Sequence, residues 1–125
     1  MVLTMEILLH ICCAPCTVYP LQRLRSAGAA VRGFFYNPNI HPRQEHARRL
    51  ATLRDFAAGA GFPVSVREGY DQDAFLVRTA GKGAGRCEQC YRMRLDAAAR
   101  EARAAGLQLV TTTLLSSKYQ KHDLI

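Results

Sequence analysis

Five cysteines fall in two tight groups, Cys12-Cys13-Ala-Pro-Cys16 and Cys87-Glu-Gln-Cys90. Adjacent cysteines are poorly placed to bridge each other, because a disulfide wants Cα atoms roughly 5.5–6 Å apart. The odd count also fits a closed disulfide framework badly. Clustered thiols in a reducing compartment point instead to metal or redox chemistry. Pro15 stiffens the first group into a turn that presents soft ligands. The Cys87-x-x-Cys90 spacing sets two thiols on one side of a helix's first turn, where the helix dipole favours thiolate. A glycine-rich stretch, Gly81-Lys-Gly-Ala-Gly-Arg86, precedes that pair and predicts that it is not buried. Neither group makes a full site alone. Pooled, they supply five thiolates, of which four suffice to hold a structural zinc or an iron–sulfur cluster, and spacing does not choose between them.

Other polar residues carry weaker signals. His10 lies inside an apolar run and reads as a packed core residue. His41 and His46 flank a helix start rich in arginine (Arg43, Arg48, Arg49, Arg54), a face read first as solvated and only second as RNA-binding. His122-Asp123 sits in a polar tail beside the expected active edge, and no rule makes it catalytic. The formal charge is +7, from 17 basic and 10 acidic residues, and all the basic ones except Lys82, Lys118 and Lys121 are Arg. Such a field attracts polyanions, and arginine suits bidentate phosphate contacts. No apolar run approaches the roughly 18 residues of a membrane span, and no secretory signal is evident at the N-terminus. A cytoplasmic protein with no membrane partner is expected.

These residues need elements to hold them. Met5–Ile11 reads as a buried strand ending in the first cysteine group. Thr17–Ala27 has helical spacing at Val18, Leu21 and Leu24, with Gly28 as its stop. A second strand spans Ala30–Tyr36 and closes on the turn Asn37-Pro38-Asn39. A helix from Pro42 to about Ala58 turns Leu50, Leu53 and Phe56 or Ala57 inward, with Gly59 and Gly61 ending it. Pro63–Arg67 is a third strand, Asp71–Val77 a brief helix, Glu88–Ala105 a long helix and Leu107–Thr113 a fourth strand. This alternation predicts a single α/β domain over residues 1–125, with a mostly parallel sheet flanked by helices in a Rossmann-like, PP-loop-like architecture. Such sheets bind ligands beyond the carboxyl ends of their strands, where the Cys12–Cys16 loop falls.

Four blocks carry a resemblance. Ile7-Leu-Leu-His-Ile-Cys-Cys-Ala-Pro-Cys16, Gly33-Phe-Phe-Tyr-Asn-Pro-Asn-Ile-His-Pro42, Arg86-Cys-x-x-Cys-Tyr-Arg-x-Arg-Leu95 and the segment Thr111–Ile125 resemble, in order, the QueH-type epoxyqueuosine reductases. The resemblance implies removal of the epoxide oxygen of epoxyqueuosine at the tRNA wobble position, the last step to queuosine. It implies a 4Fe-4S cluster without cobalamin, with Cys12, Cys13, Cys87 and Cys90 as ligands. Cys16 is left open between holding an additional mononuclear iron and shaping the loop. The partners implied are tRNA carrying epoxyqueuosine and an unidentified electron donor. No residue is assigned a catalytic role. The fold implied is similar to the nucleotide α-hydrolase and PP-loop proteins, but cysteines replace the Ser-Gly-Gly of a PP-loop. Members of the family continue into a C-terminal Cys-x-Cys. No cysteine follows Cys90 here, so a truncated chain with weak or no turnover is expected. The rival readings are a zinc-stabilised nucleic-acid-binding module, a metal-free thiol–disulfide oxidoreductase using Cys87-x-x-Cys90, and an ATP-using tRNA-modifying enzyme.

Overall fold

The computed structural model describes residues 5–40, 42–67, 76, 80–81 and 85–116, with the side chains of Arg86, Cys87 and Ser116 outside the description. The expected helix over Asp71–Val77 and the His122-Asp123 tail lie outside the described residues, as does His41. Strand β1 (Met5–His10) is followed by a 3-10 turn (Pro15–Thr17) and helix α1 (Val18–Ser26). Strand β2 (Ala29–Phe35), helix α2 (Arg43–Ala60), strand β3 (Val64–Val66), helix α3 (Arg86–Ala104) and strand β4 (Leu109–Thr112) complete the described elements, with a second 3-10 turn at Thr113–Ser116.

The strands form one parallel sheet in the order β3-β2-β1-β4. β1 is central and buried on both faces through Ile7–His10, as a strand covered by helices on each side must be. Its alternation divides the core. Ile7, Leu9 and Ile11 join Val31 and Phe35 beneath Leu21 of α1 and Leu53 and Ala57 of α2. Leu8 joins Phe34 and Tyr36 on the opposite face, under Ala97, Ala98 and Ala102 of α3. Small residues on that stripe let α3 lie close to the sheet. Gly33 is dictated by packing: a Cβ there would stand 2.9 Å from Ile11 Cδ1 and 3.1 Å from Phe62 Cε2.

The expected α/β class and parallel sheet are present; several boundaries move. Val18 shares the helical spacing of Leu21 and Leu24 yet is 53% exposed, because α1 rests on the sheet through Leu21 and Leu24. Gly59 lies within α2, and the helix ends at Gly61, whose φ of 76° takes the left-handed cap. β4 pairs with β1 only from Leu109, opposite Ile7, so Leu107 and Gln108 belong to the crossover. Among the described residues no helix is long and apolar enough to cross a membrane.

Candidate metal centre

The chain leaves β1 toward β2 on one side and returns through α3 to β4 on the other. The carboxyl ends of β1 and β4 therefore border the switch point of the sheet, where open α/β sheets bind ligands. Cys12 follows β1 there and Thr113 follows β4. The Thr113 hydroxyl accepts from the Cys12 N–H at 3.1 Å and donates to Cys12 Sγ at 3.4 Å. The Thr17 hydroxyl donates to the Cys13 carbonyl at 2.8 Å, closing the turn. Three residues per turn place Cys13 and Cys16 on one side, with their sulfurs 3.2 Å apart, and Cys12 Sγ lies 3.9 Å from Cys13 Sγ.

The three thiols of Cys12, Cys13 and Cys16 all lie within 4.8 Å of one another. Metal–sulfur bonds of 2.3 Å in a tetrahedron put thiolates about 3.8 Å apart, so this spacing suits a soft cation. The protonation pattern is uneven. Cys13 is lowered to about 5, chiefly because the Cys12 thiol donates to it, with help from Cys16 and the positive charge of Arg49 on α2. Cys12 is pushed far up by its role as donor to Cys13 and by burial. Burial raises Cys16 as well. The loop thus holds one thiolate between two thiols, and an incoming metal displaces the remaining protons.

The second cysteine group enters the same end of the molecule. α3 starts at Arg86, which places the Cys87 backbone in its first turn. Cys90 is buried against Met93, contrary to the expectation of an unburied pair. The reason is the stripe that α3 lays on the sheet, in which Cys90 precedes Arg94 and Ala97. Sequence reasoning joined Cys12 and Cys13 to Cys87 and Cys90. Among the described side chains the group that assembles is Cys12, Cys13 and Cys16, so the Cys16 thiol lies with those of Cys12 and Cys13.

Buried polar residues hold this arrangement. His10 is fully buried and, as expected, is a core residue. The Tyr36 carbonyl can only accept, which places the His10 proton on Nε2 (3.2 Å), so Nδ1 accepts from the Thr112 hydroxyl (2.9 Å). Burial, with the charge of Arg94, lowers His10 to about 4 and keeps it neutral. Asn37 donates from Nδ2 to the Ile11 carbonyl at 2.9 Å, and its Oδ1 lies 3.4 Å from Arg94 Nη1. The sequence alone marks Asn37 only as a turn residue and gives Thr17, Thr113 and Arg94 no role. His46 packs edge-on against Phe35, 5.1 Å between ring centres, so that helix start is not wholly solvated.

Comparison with known proteins gives the family of this chain. The family model described as "Epoxyqueuosine reductase QueH" matches residues 7–125. Among relatives carrying that same name, the protein of Dehalococcoides mccartyi is 37% identical over 94% of this chain and 65% of its own length. That of Helicobacter pylori is 38% identical over 88% of this chain and 32% of its own length. That of Thermotoga maritima is 34% identical over 95% of this chain and 64% of its own length. The chain thus spans from 32% to 65% of the length of these relatives. With nearly every described residue inside the match, the cysteine loop and the α3 cysteines included, the chain belongs to the epoxyqueuosine reductase QueH family.

Proposed function

We propose that residues 1–125 act as a single α/β iron–sulfur domain in the reduction of epoxyqueuosine to queuosine in tRNA. The observation that carries this reading is the assembly of Cys12, Cys13 and Cys16 at the sheet's switch point, in a chain of this family. Cys12, Cys13, Cys87 and Cys90 are the proposed ligands of a 4Fe-4S cluster. A cluster takes four thiolates, and Cys16, whose sulfur lies 3.2 Å from that of Cys13, is left open between binding an additional mononuclear iron and shaping the loop. The reaction consumes two electrons and two protons per epoxide and releases its oxygen as water. When bound, the cluster supplies electrons, and iron with an open position supplies a Lewis acid for the C–O bond.

The protein's own residues prepare the centre. The Thr113 and Thr17 hydroxyls fix the backbone of Cys12 and Cys13 before any metal arrives. Cys13 offers a ready thiolate, and Arg49 beside it favours anions. The net positive charge supports a tRNA substrate, whose phosphates dominate binding. An unidentified electron donor and a cytoplasmic location complete the proposal. The test is iron and acid-labile sulfide content after anaerobic reconstitution of the wild type and of C12A, C13A, C87A and C90A. About four irons and four sulfides per chain, lost in each variant, is the expected result. The 3.2–3.9 Å sulfur spacing also suits a single zinc, so zinc alone, or no metal, would put the nucleic-acid-binding module first.

A further inference from the structure

Behind the cysteine loop, on the α3 face of the sheet, a guanidinium is buried without an anion. Arg94 keeps 4% of its surface, and among the described residues no carboxylate pairs with it. Its contacts are two carbonyl oxygens at 3.4 Å, Asn37 Oδ1 and the Cys90 backbone, and the face of Tyr91 at 5.6 Å. A guanidinium keeps its charge in proteins, and a buried unpaired charge is costly. A leucine or methionine would fill the same space without that cost. The position therefore calls for a negative partner that is not among these side chains.

The contacts say where that partner sits. The Cys90 carbonyl belongs to the second cysteine group. Asn37 donates to the Ile11 carbonyl, which is part of the peptide bond leading into Cys12. One guanidinium, through one carboxamide, thus ties the backbones of both halves of the thiol set. Four thiolates on an iron–sulfur core carry a net negative charge that grows by one on reduction, and that charge and the hydrogen bonds around it set the potential.

We propose that Arg94 is a positioning and charge-compensating residue for the metal centre, holding the Cys12 loop and the Cys90 helix in register through Asn37 and stabilising the reduced cluster with its buried charge. The inference rests on the iron–sulfur reading above. The guanidinium acts on the cluster's potential, which is read without turnover.

The experiment compares wild type, R94Q, R94K and N37D after anaerobic reconstitution, by iron and sulfide content, far-UV circular dichroism and a potentiometric titration followed in the visible spectrum. R94Q removes the positive charge, so its reduced form becomes harder to reach. The reduced-to-oxidised ratio at a fixed potential should fall about tenfold, which for one electron is about 59 mV. R94K keeps the charge and should stay within about threefold of wild type on the same scale. N37D sets a carboxylate against Arg94 without removing it and should shift in the R94Q direction, which decides the matter if R94Q does not fold. A wild type that takes up no cluster overturns the iron–sulfur reading and this inference with it. A loaded wild type with R94Q and N37D both unshifted overturns the inference alone. R94K shifting as far as R94Q overturns the charge argument.

Discussion

His10 makes the stability of this fold depend on pH in a way that a surface histidine would not. Burial, with Arg94 nearby, lowers it from an ordinary 6.5 to about 4. Between those two values an unfolded chain binds a proton at His10 that the native chain refuses. Unfolding is therefore favoured as the pH is lowered through that window, while above 6.5 and below 4 the contribution is flat. The gap is worth roughly 3 kcal/mol, and the slope at its steepest is about 1.4 kcal/mol per pH unit. Cys13, also shifted to about 5, adds a slope of the same sign, since an unfolded thiol stays protonated where the native one has ionised. The assay is urea unfolding of the reduced, metal-free chain from pH 4 to 7.5, for wild type and H10N. Asparagine still offers a donor and an acceptor toward Tyr36 and Thr112 but does not titrate. Its lost packing displaces the whole curve without tilting it. Wild type should lose about 3 kcal/mol more than H10N between pH 7 and pH 4, with Cys13 and the carboxylates cancelling in the difference. Parallel curves would refute the buried neutral histidine.

Three further outcomes are expected. In the reduced, metal-free chain, alkylation of Cys13 by iodoacetamide should rise with pH to a midpoint near 5, because the Cys12 thiol donates to it; a midpoint near the ordinary 9 for Cys13, read by peptide mass spectrometry, would contradict this. G33A should cost about 1–3 kcal/mol in urea unfolding, since its Cβ meets Ile11, Phe62 and Val64 and overpacks β2 against the residue that precedes Cys12; an unchanged midpoint would mean that this face has slack. R49Q should weaken tRNA binding uniformly across sequences and reduce the slope of log affinity against log salt by about one, whereas an unchanged slope would remove Arg49 from the phosphate footprint.

Much of the fold was legible because its signals are local. Ile7–Ile11 is apolar except for His10, as suits a strand covered on both faces, and Asn37-Pro38-Asn39 marks where β2 stops. The misreadings are places where a local rule met a tertiary one. Val18 keeps the helical spacing of Leu21 and Leu24 yet faces solvent, because the sheet reaches only part of that stripe. Gly59 looked like a terminator, but a helix tolerates an interior glycine at a cost of about 1 kcal/mol, and the left-handed cap falls to Gly61. The strand order could not be read locally, because nothing near Leu109 says that it will lie opposite Ile7.

The site divides along the same line. Cys12, Cys13 and Cys16 are close in sequence, so a tight turn alone brings their sulfurs together. Thr113 lies 101 positions from Cys12, and Asn37 is 26 from Ile11 and 57 from Arg94, so the sequence marks them only as a strand end, a turn residue and a helix position. One signal was nevertheless available for Arg94. On α3 the buried positions are Cys90, Tyr91, Met93, Arg94, Ala97, Ala98 and Ala102, one broad helical face, and Arg94 is the one charged residue among them. Arg92, Arg100 and Arg103 fall off it and are exposed. An arginine in register with the core residues of a helix, one turn after a cysteine, is a buried cation before any coordinates are drawn. What the coordinates add is its company: two carbonyls, an aromatic face and no carboxylate among the described residues, at the end of the sheet where the thiols gather.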